Sequence, residues 1–341
     1  MQLPSSIPGR IIMTLNQLSQ PTGISEKNIT APGSLTPALK VSVVICAYTV
    51  ERLPYIYSAV QSVLNQTLPP HEVVLAVDHN RELYHKLNTD LGDRVNVIHN
   101  DGPERGAVVT DNIGTMCATG DIIAFMDDDA TATGDWLEKM VEHYRDPRVI
   151  ASGGKLVPVW QESRPSWFAE ELDWVVGGTY KGHPEHRTGV RNLILCNMSV
   201  RREVFDSAGY FTTELGRRKN WGTGAESEFF LRVRKHFPDS VVLYEPEAVV
   251  YHNVSLQRTK LKYMLLRSYN EGFHKALIRK AFAGTSEEPL SMEYTYLRFL
   301  LGSVLGKLGR FYSHGNLGQA GSIMASVIAT GGGYIAGMLK R

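Results

Sequence analysis

Three consecutive carboxylates, Asp127, Asp128 and Asp129, follow the apolar run 122–126. Side by side at the end of a buried strand, they repel one another unless hydrogen-bond donors or a cation compensate them, or one of them takes up a proton. Carboxylate oxygens are the ligands that Mg²⁺ and Mn²⁺ prefer, and proteins use these ions where diphosphates bind. The triplet therefore predicts a divalent-cation site, and a solvated acidic loop remains the alternative.

Other polar residues also stand at the ends of apolar segments. Tyr48 follows the run 41–47, Asp78 follows 72–77, and His252 follows Val249–Tyr251. Each has a simpler structural interpretation, because an aspartate often forms a turn and a strand-end histidine is often structural. A series of polar strand ends along one edge nevertheless favours a binding site over chance.

The elements that would position these residues are short apolar strands that alternate with helical stretches. Such alternation predicts an α/β fold with a mostly parallel sheet covered by helices on both faces. Ligands of such sheets bind outside the carboxyl ends of the strands. The predicted strands are the apolar runs Val41–Ala47, Glu72–Val77, Val95–His99, Ile122–Met126 and Val149–Ser152. The predicted helices are Leu53–Leu64, Glu82–Leu91 and Trp136–Tyr144.

The composition excludes several classes of protein. Of the 341 residues, 43% are hydrophobic, which excludes wholesale disorder, and a net charge of +1 gives no global attraction for nucleic acid. The three cysteines, Cys46, Cys117 and Cys196, are widely spaced, which argues against a disulfide scaffold and fits a reducing cytoplasm.

The chain divides into three predicted regions. Residues 1–38 are a weakly ordered leader, 39–255 the catalytic body, and 256–341 a helical extension that is basic and then apolar. Residues 255–280 carry seven Lys or Arg and one acid, which suits either an anionic membrane surface or a solvated helix face. The uncharged stretch 315–339 favours a packed or interfacial hairpin, Tyr294–Lys307 with Gln319–Leu339, over one transmembrane span.

The order of these motifs resembles that of the family 2 inverting GT-A glycosyltransferases. The run 41–48 is similar to that family's opening strand, 72–78 to its second strand, and 106–129 to the stretch that leads into its DxD motif. The resemblance covers about residues 40–255. It implies a GT-A fold, which is Rossmann-like, with a nucleotide-sugar donor and a divalent metal, Mn²⁺ or Mg²⁺.

The resemblance also implies roles for individual residues. Asp78 would contact the donor base, Asp127 and Asp128 its ribose region, and Asp129 the metal, with His252 completing the metal site. Further donor contacts are expected from Ala47, Tyr48, Arg52 and Asn112. The family often has arginine where this chain has Asp111, and Arg105 or Arg52 would have to supply that charge.

The general base is expected in the segment 221–232, which resembles a helix start of the family that carries Glu-Asp. Ala225 stands where the glutamate is usual and Glu226 where the catalytic aspartate is usual, so Glu226 is the predicted base. An anionic group in the first turn of a helix is favoured by the helix dipole. The alternative is that both acids only decorate a helix N-terminus. The predicted acceptor contacts are Trp221, Asn197 and Glu228.

These inferences predict a metal-dependent inverting glycosyltransferase that moves a sugar, with UDP as the expected carrier, to a lipid-linked or polysaccharide acceptor in cell-surface glycan synthesis. The tryptophan-rich middle and the basic tail are similar to prokaryotic enzymes that extend polyprenyl- or dolichyl-phosphate glycans, including glucuronosyltransferases. The expected location is the cytoplasmic side of the membrane, as a peripheral protein. The alternatives are a sugar-nucleotide or glycan binder without catalysis, and a nucleotidyltransferase, although the glycine-rich loop with lysine after the first strand is absent.

Overall fold

The computed structural model describes residues 39–213, 224–282, 291–313 and 315–340. The predicted leader, residues 1–38, lies outside this part, and the boundary at residue 255 stays a prediction. The strands are β1 (Val41–Ala47), β2 (Glu72–Asp78), β3 (Asn96–Asn100), β4 (Ile122–Asp127), β5 (Ala130–Ala132), β6 (Val149–Trp160), β7 (Thr188–Gly189), β8 (Met198–Arg201) and β9 (Val241–Val254). The helices are α1 (Leu53–Leu64), α2 (Arg81–Leu91), α3 (Ala107–Cys117), α4 (Trp136–Val141), α5 (Arg202–Ala208), α6 (Ala225–His236), α7 (Leu261–Ala281), α8 (Ser291–Leu308) and α9 (Asn316–Leu339).

All strands of the described residues join one sheet in the order β3-β2-β1-β4-β8-β6-β9-β5, with β7 beside β9. The first four are parallel, as their apolar runs predict for strands buried on both faces. β8 then enters antiparallel between β4 and β6, and β5 and β7 lie antiparallel to β9. The predicted α/β fold is confirmed, with a second half of the sheet that mixes strand directions.

Apolar side chains cover both faces of the sheet. On one face, Ile56 and Val60 of α1, Leu83 of α2 and Trp136 of α4 are buried against the strands. On the other face, residues of α5 and α6, such as Phe229, join residues of β4 and β8 in a second cluster. The carboxyl ends of the parallel strands remain between these layers, where the predicted site residues lie.

The middle segment contributes a third cluster rather than a clear βα repeat. Phe168, Leu172 and Val176 are buried in and around a 3₁₀ helix at Glu170–Val176 and pack against the C-terminal helices. Trp160, Trp167 and Trp174 border this cluster, and Trp174 donates its indole N–H to the Tyr296 hydroxyl at 3.0 Å. These tryptophans, whose roles the sequence left open, therefore pack against the extension.

The basic helix α7 packs against the other helices of the extension. Lys275 pairs with Glu293 of α8 at 2.9 Å. Arg279 donates to the Tyr334 hydroxyl at 2.6 Å, and Lys280 donates to the carbonyl oxygens of Gly337 and Lys340 at the end of α9. Three of its cations thus bind other helices of the extension, whereas the sequence-based alternative is the solvated face of a packed helix.

Glycines let α9 approach α7 closely. A Cβ at Gly333 would lie 1.8 Å from the Tyr269 carbonyl oxygen, and one at Gly272 would lie 1.9 Å from that of Thr330. The predicted hairpin helices are both present, but α9 makes its closest approach to α7. Among the described residues α9 is the one helix long and apolar enough, by length and composition, to cross a membrane, with mean hydropathy 1.4.

Candidate active site

The ends of β2, β1 and β4 bring the predicted donor residues to one edge of the sheet. β1 pairs with β2 on one side and with β4 on the other, and Cys46 stands opposite Asp127 in the register. Tyr48, which follows β1, exposes about half of its surface (52%), whereas Ala47 is buried at the end of the strand. The strand order therefore places Asp78 and the acidic triplet on opposite sides of Tyr48.

One arginine compensates two members of the triplet. Arg52, in the turn before α1, donates Nη1 to Asp128 Oδ1 at 2.5 Å and places Nη2 3.0 Å from Asp129 Oδ2. Its guanidinium also lies over the Tyr48 ring, 5.0 Å from the centroid. Burial raises the pKa of Asp128 to about 7 despite this partner. Predicted as a donor contact, Arg52 thus positions the acids, and its contact with a nucleotide stays a prediction.

The third aspartate faces a buried histidine. His252 Nε2 lies 3.3 Å from Asp129 Oδ1 and 3.7 Å from Asp127 Oδ2. Burial opposes ionisation of Asp129, but His252, Arg52 and Arg258 stabilise the carboxylate and hold its pKa at about 2. The Asn253 amide groups fix the turn by donating to the Asp129 carbonyl at 2.8 and 2.9 Å. The predicted metal ligands Asp129 and His252 therefore converge.

The possible metal ligands at this site suit a divalent cation. Ligand atoms of Asp127, Cys196 and His252 lie within 4.8 Å of one another. One buried carboxylate oxygen here, Asp128 Oδ2, has no hydrogen-bond partner among the described residues. An ionised carboxylate next to an imidazole offers the oxygen and nitrogen ligands that Mn²⁺ accepts. Mg²⁺ accepts the oxygen ligands more readily than the nitrogen ligand. These residues therefore suit either ion.

Two residues at this centre were missed in the sequence. Cys196, in the 3₁₀ turn Leu195–Asn197, is buried beside Asp127, and Arg258 places Nη1 3.4 Å from His252 Nε2. Arg258 Nη1 also donates to the Val176 carbonyl at 3.1 Å, which anchors the side chain. Gly177, with φ of +86°, leaves the room that His252 needs, since a Cβ there would lie 2.8 Å from the imidazole.

Asp78 organises the loop at the other end of the row. Oδ1 accepts hydrogen bonds from Asn100 Nδ2 at 2.9 Å and contacts His79 Nδ1 at 2.8 Å, while Oδ2 accepts the backbone N–H of Gly106 at 3.0 Å. His79 is held at φ of +48°, a conformation that its ring stabilises by contacting the Gly102 carbonyl. Asp78 thus stands, partly exposed, in a rigid loop, and its contact with a base stays a prediction.

The two glutamates of α6 have different surroundings. Glu228 forms a bidentate ion pair with Arg232, at 2.8 and 2.9 Å, and Arg232 also donates to the Tyr210 carbonyl. Partial burial raises the pKa of Glu226; Arg267 opposes the rise and Glu271 adds to it. A raised pKa suits a carboxylate that must accept a proton. Glu226 as base and Glu228 as acceptor contact both stay predictions.

Asp111, which stands where the family often has arginine, lies inside the site. It accepts a hydrogen bond from Cys46 Sγ at 2.8 Å, and burial raises its pKa to about 8, with the charges of Asp127 and Glu226 adding to the effect. A protonated Asp111 carries no negative charge that a neighbouring arginine would have to neutralise. Arg105 is exposed in the segment before α3, whereas Arg52 contacts Asp128 and Asp129, and the supply of the missing charge by either arginine stays a prediction.

Two predicted contacts are engaged in the fold itself. The Asn112 side-chain amide binds the backbone of Phe211: its Nδ2 donates to the carbonyl oxygen at 2.8 Å, and its Oδ1 accepts the N–H at 3.0 Å. Asn197 accepts the Trp136 indole N–H and donates to the carbonyls of Lys155 and Ala248. Both side chains are buried, and their ligand contacts stay predictions. Trp221 lies outside the described residues.

Comparison with known proteins places the chain among sugar-transferring enzymes. The family model "Glycosyl transferase family 2" matches residues 42–209. The glucosyl-dolichyl phosphate glucuronosyltransferase of Haloferax volcanii is 33% identical over 308 residues, which is 88% of this chain and 97% of that protein. The succinoglycan biosynthesis protein ExoM of Rhizobium meliloti is 24% identical over 69% of this chain and 73% of its own length.

Solved structures share the fold at lower identity. A mannosyltransferase of Pyrobaculum calidifontis in complex with GDP-Man and Mn²⁺ superimposes with a TM-score of 0.56 at 14% identity, covering 86% of this chain and 87% of that one. GalNAc-T7 with UDP, GalNAc and Mn²⁺ gives a TM-score of 0.50 at 16% identity, covering 76% and 54%. The sheet described above is therefore of the GT-A type.

Proposed function

Because the chain belongs to glycosyl transferase family 2, we propose that it is a metal-dependent inverting enzyme that transfers a sugar from a nucleotide donor, UDP-linked, to a lipid-linked acceptor in cell-surface glycan synthesis. The observation that carries the proposal is the convergence of Asp129, His252 and Arg258 at the carboxyl end of the sheet. The similar dolichyl-phosphate glucuronosyltransferase supports the lipid-linked acceptor.

The donor would lie across the row of strand ends. Asp78 would accept a hydrogen bond from the base, Tyr48 would present its exposed ring, and Asp127 would bind the ribose. A divalent cation, held by Asp129 and His252, would neutralise charge on the diphosphate as it departs. Arg258 stands 3.4 Å from the His252 nitrogen that would bind that cation. Arg258 would therefore add a second positive charge beside that cation, which favours the binding of a diphosphate oxygen there.

The transfer itself is a single displacement at the anomeric carbon. Glu226 takes the proton of the acceptor hydroxyl, whose oxygen forms the new bond as the bond to the diphosphate breaks. Attack from the face opposite the leaving group inverts the configuration. The raised pKa of Glu226 makes it a stronger base than an ordinary glutamate, and its place in the first turn of α6 favours its anionic form.

The experiment that tests the proposal is an assay of the purified full chain with a panel of UDP- and GDP-sugars. We expect release of UDP from one donor, with Mn²⁺ or Mg²⁺ and not with EDTA. Faster release with a polyprenyl-phosphate-linked sugar would identify the acceptor class, and the anomeric configuration of the product, measured by NMR, would test inversion. Binding of UDP-sugars with no release under any condition would instead indicate a sugar-nucleotide binder.

The cytoplasmic side of the membrane is the proposed location, since nucleotide sugars are made in the cytoplasm and the acceptor is a lipid. The three cysteines are all free thiols among the described residues, which agrees with a reducing compartment. Separation of membranes from cytosol, with accessibility to protease from the cytoplasmic face, tests this location.

A further inference from the structure

Exposed apolar side chains are concentrated on α8, α9 and the turn between them. Of the 24 large hydrophobic residues exposed in the described chain, 15 lie between residues 291 and 340, which make up less than a fifth of the described residues. Soluble monomers rarely expose so many together, and such a surface marks an interaction site. The two helices therefore have an outer face that needs a partner.

The outer face of α9 is a continuous stripe. Its exposed members recur at intervals of seven and four residues, which is the spacing of one side of a helix. They are Leu317, Met324, Ile328, Ile335 and Leu339, and Met338 is exposed beside the last of them. No charged residue occurs in α9, so nothing interrupts this stripe over the roughly 36 Å of a 24-residue helix.

The turn between the helices is the most exposed part. Phe311 and Tyr312 are 69% and 79% exposed, and Leu305 of α8 points outward near them. Arg310 is exposed next to the two aromatic residues. Aromatic rings beside a cation are the composition found where proteins meet the boundary between lipid headgroups and acyl chains.

Charge decides which partner fits. Residues 291–341, from the start of α8 onwards, carry five Lys or Arg and one acid, a net charge of +4 in a chain whose total is only +1. Two copies of such a region repel each other, whereas an anionic bilayer attracts it. We propose that the outer face of α8 and α9, with the turn 309–313, docks on the surface of an anionic membrane.

The opposite side of α9 keeps it from spanning that membrane. Gly333 and Gly337 allow α9 to pack closely on α7, and the Ser326 hydroxyl forms a hydrogen bond of 2.8 Å with the Ser268 hydroxyl of α7. Lys280 holds the carboxyl end of α9. A spanning α9 would have to give up these contacts, so α9 lies parallel to the surface with only its outer stripe in lipid.

Docking by this face would bring the predicted base near the lipid. Gly224 at the start of α6 packs on His274 and Ile278 of α7, and α7 packs on α9. Two interhelical distances of 8–10 Å put Glu226 on the order of 20 Å from the docked face. This consequence rests on the proposed function, in which the acceptor is a lipid-linked sugar, but membrane docking does not.

The test is flotation of the full chain with vesicles of equal parts phosphatidylcholine and phosphatidylglycerol at low salt. We expect wild type to float, and the double variant Leu305→Glu, Phe311→Glu to bind about a hundredfold less, because two apolar groups no longer insert. The matched control is Leu39→Glu, Met116→Glu, which changes two exposed apolar residues elsewhere and should float like wild type.

Three outcomes would overturn the proposal: wild type that stays below the vesicles, a face variant that floats as well as the control, or protein that resists extraction of cell membranes with carbonate. A wild-type dimer that the face variant converts to monomer, seen by sedimentation, would make the face a self-interface instead. UDP release, measured on the same samples, separates this test from the proposed function, since the face variant should keep it and flotation requires no catalysis.

Discussion

The Nε2 atom of His252 lies 3.3 Å from the Oδ1 atom of Asp129, which stands in the turn between β4 and β5. The Asn253 backbone and side-chain N–H groups both donate to the Asp129 carbonyl oxygen, so the turn is tied to β9 next to His252. The candidate metal ligands are thus a strand residue, His252, and a turn residue that is hydrogen-bonded to the same strand. Ligands held by regular structure are positioned more precisely than ligands on free loops.

Replacing Asp129 with alanine should abolish metal-dependent binding of the donor. The variant loses the carboxylate whose pKa is held at about 2, and which is therefore ionised at any working pH. Calorimetric titration with UDP, with and without Mn²⁺, measures the effect, and the exposed Asp90→Ala is the control. Mn²⁺-stimulated UDP binding by Asp129→Ala equal to that of wild type would show that the ion binds elsewhere.

Replacing Arg258 with glutamine should weaken UDP binding in the presence of Mn²⁺ by about 10- to 100-fold, the usual loss for a hydrogen bond to a charged group. Uridine, which has no phosphate, should bind both proteins equally if it binds at all. The control is Arg148→Gln, which changes an exposed arginine that pairs with Asp146, and it should behave like wild type. An equal loss of affinity for uridine would mean that Arg258 acts only through the fold.

Glu226→Gln should lower kcat by about 10²–10⁴-fold without changing donor affinity, because glutamine keeps the shape and cannot take a proton. In wild type, kcat should rise with pH through the pKa of Glu226, at a higher pH than for an ordinary glutamate, because partial burial raises that pKa. Glu228→Gln should lose stability through its Arg232 pair and keep most activity. A larger loss of kcat in Glu228→Gln would assign the base to Glu228.

Asp111→Asn should flatten the dependence of the melting temperature on pH. Burial raises the pKa of Asp111 to about 8, from about 3.9 in the unfolded chain. Between these values the native state holds more protons than the unfolded state, so its stability falls as pH rises. Thermal melts from pH 5 to pH 8 measure the slope for wild type, Asp111→Asn and the exposed control Asp93→Asn. Parallel curves for all three would contradict the prediction.

Gly333→Ala should destabilise the protein, by about 1–3 kcal/mol, because its methyl group would meet the Tyr269 carbonyl oxygen at 1.8 Å. The neighbouring Gly332 provides a matched control, since nothing lies within 4 Å of the Cβ that alanine would add there. Gly332→Ala should be neutral or slightly stabilising through helix propensity. Chemical denaturation compares the two, and equal free energies of unfolding would mean that α9 does not pack closely on α7.

The sequence predicted the parallel half of the sheet well. Runs such as Val41–Ala47 and Ile122–Met126 are apolar because these strands are buried on both faces, and that burial leaves a local pattern. The acidic triplet and His252 were found for a similar reason, since each comes directly after such a run. Polar residues at the carboxyl end of a buried strand can therefore be recognised from sequence.

Other features depend on contacts that no local pattern records. Cys196 and Arg258 reach Asp127 and His252 only because β8 enters the sheet antiparallel and the 3₁₀ helix before Gly177 supports the arginine. In α7, basic residues and one acid at positions 267, 271, 275 and 279 look like a solvated face. Lys275 and Arg279 find partners on α8 and α9, far along the chain, so periodicity alone could not reveal that this face is packed.

The position of α7 between α6 and α9 has a consequence for how the protein comes apart. Its side chains Phe273 and Met264 are buried, and residues on its two sides touch the start of α6 and the glycines of α9. Cutting the chain after α7 would leave this apolar surface in water beside α6. The extension is therefore not a separate unit that can be removed. Calorimetry should give one cooperative unfolding transition for the body and the extension together. A chain shortened after α7 should aggregate rather than remain an active soluble enzyme.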